Sequence, residues 1–93
     1  MNIEQVCKEA IKVVEKYLAG DLEAADMYDI FAALREAQDA VEAAWDEANS
    51  RKSNRICRAA WHACSAAKND DRDIAKMYVN EYWVAEYHKS LND

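Results

Sequence analysis

The stretch "DIFAALREAQDAVEAAWDEANSRKSNRICRAAWHAC", from Asp29 to Cys64, decides the fold. In its first half Ile30, Leu34, Ala37, Val41, Ala44 and Ala48 recur at alternating intervals of four and three. That is the period of one helical face; a half-buried strand would alternate every second residue. Phe31, Gln38 and Trp45 run beside it at intervals of seven, so the inward arc is somewhat wider than the ~100° of a core-facing helix. The second half turns Ile56, Cys57, Ala60, Trp61, Ala63 and Cys64, then Ala67, to one side. Between the halves, "NSRKSN" (Asn49 to Asn54) is polar and turn-rich. It reads as a break, with Ser53 capping the next helix. Nothing in it forbids a helix, so one long bent helix is the alternative.

Outward from this stretch the same period continues. Residues 2–19 read as a first helix, with Asn2 as N-cap, Gln5 as its capping-box partner and Gly20 as a left-handed stop. Ile3, Val6, Cys7, Ala10, Ile11, Val14, Tyr17 and Leu18 form its apolar face. Residues 21–25 are a link, and Asp26 caps the second helix, which runs to about Ala48. The third helix covers about 54–68. A fourth runs from about Asp71 to Ser90, with Asp70 and Asp73 favouring its dipole end. On it Ile74, Met77, Tyr78, Glu81, Val84, Ala85 and His88 share a face, which Val79, Tyr82, Trp83 and Tyr87 widen. The chain has no proline and one glycine, where an all-β fold needs turn residues at regular intervals. The expected fold is therefore all-α: four helices in a small antiparallel bundle, one domain over residues 1–93. Eighteen alanines against four leucines predict a core of small residues, in which tryptophan and tyrosine supply most of the buried area.

Charge is unevenly spread. The net charge is −6, which argues against direct nucleic-acid binding, where Lys and Arg neutralise phosphates. From Asp21 to Asn49 there are nine acids and one base, Arg35, whereas residues 1–20 balance and residues 50–93 are slightly basic, with Arg51, Lys52, Arg55 and Arg58 clustered. A solvated helix face usually mixes signs at spacing four, as Glu4 and Lys8 do. The second helix does not. Its stripe of Asp29, Glu36, Asp39, Glu42, Asp46 and Glu47 is the candidate contact for a protein partner with a basic surface, a nucleic-acid-binding protein included. Tyr82, Trp83 and Tyr87 are a second candidate, for a partner or for a homodimer.

No catalytic or metal site is expected. Cys57, His62 and Cys64 are the only close set of soft ligands, but His62 lies about 140° round the helix from Cys57. No phosphate loop, nucleophile elbow or HExxH motif occurs, and one glycine leaves no backbone cradle for a cofactor. The odd cysteine count, with Cys57 and Cys64 roughly 10 Å apart along one helix, predicts reduced thiols. "MNIEQVCKEA" lacks a basic region followed by an apolar run, and no apolar stretch reaches ~18 residues, so a cytoplasmic protein is expected.

Residues 10–67 resemble the alanine- and tryptophan-rich helical immunity-type proteins of bacteria and phages. The likeness rests on Ala10, Ile11, Tyr17, Gly20, Glu23, Asp26, Ala37, Ala44, Trp45, Ala48, Ala59, Ala60 and Trp61. In that family an amphipathic helix ends at a glycine, an acidic link follows, and a capped helix enters Ala–Ala–Trp segments. This chain departs in having two such segments, a basic break between them and a tyrosine-rich last helix. The resemblance implies a helical fold, no catalytic motif, and genes carried by phages or mobile elements. Together these readings lead to one expectation: a small acidic non-enzymatic inhibitor of a protein partner, of immunity or anti-defence type, anti-CRISPR inhibitors among them. A homo-oligomeric helical scaffold is the alternative.

Overall fold

The computed structural model describes residues 2–20, 27–69 and 74–92. In α1 (Ile3–Ala19), Asn2 is the N-cap, its Oδ1 accepting from the Gln5 backbone N–H at 3.1 Å. The Gln5 side chain does not complete a capping box. Its Nε2 donates to Glu9 Oε1, one turn on, at 3.1 Å, which turns the side chain along the helix and away from the N-cap. Gly20 closes the helix at φ 75°, ψ 15°, with its N–H directed at the carbonyls of Lys16 and Tyr17. That left-handed geometry would strain a residue with a Cβ, and it explains the only glycine. Cys7, Ala10, Ile11 and Val14 are buried, as the periodicity predicts.

In α2 (Met27–Asp46), Leu34, Gln38, Val41 and Ala44 point inward. The cap assigned to Asp26 and the link over 21–25 lie outside the described residues. The helix ends two residues sooner than expected, through tightened turns in which the Glu47 and Ala48 N–H groups reach back only three residues, to Ala44 and Trp45.

The break before α3 (Arg51–Lys68) is present, but its cap is Ser50 rather than Ser53. Ser50 Oγ accepts from the Ser53 N–H at 3.0 Å while Ser53 Oγ accepts from the Ser50 N–H at 3.1 Å. Two reciprocal bonds satisfy two orphan donors at once, so the helix starts three residues early. Asn54 ties the corner together. Its Nδ2 donates to the Ser50 carbonyl at 2.8 Å, and its Oδ1 accepts from Trp45 Nε1 at 3.1 Å. Ile56, Cys57, Ala60, Ala63, Cys64 and Ala67 are buried as expected, and Ala59 joins them.

The face expected for α4 (Ile74–Leu91) packs only in part: Val84, and Trp83 and Tyr87 from its widened edge, turn to the core. Glu81, Ala85 and His88 are exposed. Asn80, Tyr87 and Ser90 are buried instead, flanked by partly buried Trp83, Val84 and Leu91. The side chains of Ile74, Met77 and Tyr78, and residues Asp70 and Asp73, lie outside those described. Apolar residues are scattered round this helix, so its sequence favours no face, and the fit of the Tyr87 ring into the core decides the orientation.

The four helices form a small all-α bundle in which α3 is the shared neighbour, packing on α1, α2 and α4, while α1 also packs on α2 and only grazes α4. Trp45 meets Asn54 and Gln38 meets Lys68, so α2 and α3 run antiparallel. Lys68 Nζ donates to the buried Gln38 Oε1 at 2.9 Å, which satisfies a polar group the apolar row brings inside. Small residues on α1 and α3 permit close approach, with Tyr87, Ile11, Leu34 and Ile56 as the largest fully buried side chains. The three cysteines are free thiols in this core. Among the described residues no helix is long and apolar enough to cross a membrane.

Candidate functional site

The outer face of α2 is set by the inner one. With Leu34, Val41 and Ala44 turned to the core, Asp29, Glu36, Asp39, Glu42, Asp46 and Glu47 are all exposed. At 100° per residue these six carboxylates fall within an arc of roughly 140°. Ala32 and Ala43 run down the middle of the arc, and Arg35 stands at its edge. Tyr28 shares the arc and is 85% exposed, with Phe31 at its margin also exposed. A hollow of about 350 Å³ is lined by Tyr28, Phe31, Ala32, Arg35 and Lys68. Phe31, expected from the sequence in the row beside the inward face, is exposed instead, because it stands at the edge of the arc that Leu34, Val41 and Ala44 turn to the core, and Tyr28 was not singled out by the sequence. The signal for Tyr28 was its place at the start of α2, beside Asp29 and roughly two turns before Glu36.

The second candidate set comes apart. Tyr82 is 56% exposed and packs edge-on against half-buried Trp83, with ring centroids 5.0 Å apart. Tyr87 is 2% exposed. It is a core residue and cannot contribute to a surface patch: it stands four residues after Trp83 on the packed side of α4, and about 140° round from Tyr82. Burial pushes its hydroxyl up to about 12.

Trp83 belongs to a chain of rings that the sequence did not disclose. Trp45 and Trp61 are tilted with centroids 6.4 Å apart; Trp61 meets His62 edge-on at 5.2 Å; His62 stacks on Trp83 at 4.4 Å, 17° from parallel. The Arg58 guanidinium carbon sits 5.9 Å from the Trp83 centroid. Burial, and then the Arg58 charge, holds the His62 imidazole below its ordinary value, so the neutral ring is the form that stacks. Exposed Arg51, Arg55 and Arg58 precede His62 at helical spacing along the outer face of α3. A small polar hollow of about 130 Å³ opens there, bounded by Arg55, Arg58, Tyr82, Trp83 and Glu86.

The surface is therefore bipolar, acidic on α2 and basic at the start of α3. Elsewhere signs mix. Between α1 and α4 an open groove of about 470 Å³ has Ile11, Tyr87 and Leu91 at its floor and Glu4, Lys8, Lys12, Glu15 and His88 round its rim. There His88 Nε2 lies 3.7 Å from Glu15 Oε1, with both side chains about half exposed. Such a pair adds little to stability. Among the described residues no three His, Cys, Asp or Glu side chains converge to hold a metal ion. No family model, curated protein or solved structure matches this chain.

Proposed function

We propose that this chain is a non-enzymatic binding protein that blocks a basic protein surface with the outer face of α2. One observation carries the reading: Tyr28, almost fully exposed, lies on the same arc as six carboxylates. Acids alone would be a solvated face, but an aromatic ring left in water beside them has the make-up of an interface anchor with a charged surround. The five acids from Glu36 to Glu47 span eleven residue steps, so carboxylates recur about every 4 Å along the axis. One strand of DNA places a charge about every 3.4 Å. A surface built to hold phosphates accepts such a row, and once covered it is closed to nucleic acid. The two alanines keep the ridge low enough for long Arg and Lys side chains to lie across it. The likeness to immunity-type proteins supports the same class of role, that of an inhibitor carried by phage or mobile genes.

The test is capture from an extract of the source cell at low and at raised salt, with identification of what is held. Basic, nucleic-acid-binding proteins should be retained, and salt or added DNA should release them. The triple variant Asp39→Lys, Glu42→Lys, Asp46→Lys should lose capture while its helical circular dichroism stays unchanged, and Tyr28→Ala should weaken capture about tenfold, the size of one interface anchor. Unaltered capture by the triple variant would overturn the proposal. A second reading, a homo-oligomeric scaffold, has in its favour the exposed Val79 and Tyr82, three residues apart on α4. Light scattering decides it: a dimer that dissociates on Tyr82→Asp supports this reading, and a monomer at high concentration excludes it.

A further inference from the structure

Cys7 on α1 and Cys57 on α3 are fifty residues apart in sequence, and their sulfurs meet in the core at 3.7 Å. Both side chains are fully buried. One turn on from each, Ala10 and Ala60 are buried and present only methyl groups, and α1 packs directly on α3. A disulfide needs its sulfurs about 2.05 Å apart. Rotation of two short side chains, with a small shift of the helices, covers the difference. Cys64 is no rival for Cys57, since the two lie roughly 10 Å apart along one helix.

We infer that Cys7 and Cys57 form a modification site, a dithiol that a peroxide converts into a disulfide stapling α1 to α3. The Cys7 S–H donates to Cys57 Sγ, so Cys57 is the sulfur better able to carry negative charge. The same contact lowers the Cys57 thiol against the larger upward push of burial, whereas both burial and its neighbour raise Cys7. The Cys57 thiolate attacks one peroxide oxygen; the O–O bond breaks, the departing hydroxide takes a proton and leaves as water, and Cys57 becomes a sulfenic acid. The Cys7 sulfur then attacks the Cys57 sulfur, losing its proton. The S–S bond forms, the S–O bond breaks, and a second water leaves. Two electrons pass from the sulfur pair to the peroxide. Because both thiols are shielded, the reaction waits on transient opening of the first turns of α1, where Cys7 sits. It is slow, but contact in the core selects the product.

The experiment treats the reduced full chain with hydrogen peroxide at neutral pH, blocks remaining thiols by alkylation, digests without reduction and maps the peptides by mass. The expected product joins the Cys7 peptide to the Cys57 peptide within one chain and leaves Cys64 alkylated. Closing a loop of this length should raise the melting temperature by on the order of 10 °C or more, reversibly with dithiothreitol. The Cys64→Ala variant should give the same cross-link and the same rise, and the wild-type map stands without it. A Cys7–Cys64 link, chain-to-chain links as the main product, or a cross-link that leaves the melting temperature unchanged would overturn the inference. So would thiols that survive peroxide in the folded chain under conditions that oxidise the urea-unfolded chain completely.

Discussion

Two tyrosines of α4 show how much depends on a single side chain's surroundings. Tyr82 and Tyr87 share a helix and a residue type, yet one is 56% and the other 2% exposed. Truncating Tyr87 to alanine removes a ring from a packed core and should cost about 3–5 kcal/mol, a large share of the stability of a domain this size. Tyr82→Ala should stay within about 0.5 kcal/mol. Urea unfolding of the two variants compares them directly, and equal losses would overturn the assignment of Tyr87 alone to the core. Sequence could not separate these residues, because the apolar positions of α4 run all the way round it. Only the shape of the space beside α1 and α3 chooses between them. The acids of α2, in contrast, were legible at once, since the inward row of Leu34, Val41 and Ala44 leaves them one arc to occupy.

Each element was legible in proportion to the regularity of its pattern. α1 and α3 keep an unbroken apolar stripe, and their buried residues follow from it. Ends were harder. The corner between α2 and α3 holds serines at both 50 and 53, and either suits an N-cap. Reciprocal bonding between them selects the earlier one. Replacing Ser50 with alanine should therefore destabilise the protein by about 1 kcal/mol. Ser53→Ala should cost less, and the double variant less than the two singles added, because both act through one box. Chemical denaturation of the three variants measures the coupling; strict additivity would mean that the box contributes nothing as a unit. Asn54 extends the corner to Trp45, which no spacing rule announces, since the bond joins the end of one helix to the first turn of the next.

At the scale of the whole molecule, α3 joins everything: it touches the other three helices and carries Cys57, Arg58, Trp61 and His62. The opposition of an acidic α2 to a basic start of α3 was readable from charge counts, whereas the ring chain across α2, α3 and α4 was not, because it forms only when three separate helices meet. Its histidine makes stability depend on pH. The folded state holds His62 below its ordinary value, so between that value, near 6.5, and the lower folded one the unfolded chain binds the extra proton. Stability is then fully present above pH about 7 and declines as pH falls through this window. His62→Phe keeps a stacked ring and cannot titrate, so its urea midpoint should fall less over the same range. A parallel fall would remove His62 as the cause. The same chain of rings fixes what light can report. All three tryptophans of the protein belong to it, within transfer distance of one another, and α1 has none. Excitation shared among them makes the fluorescence a single gauge of how α2, α3 and α4 fit together. The opening of α1 that lets an oxidant reach Cys57 moves a helix without a tryptophan, so an unchanged emission spectrum is no proof that the helix stayed closed.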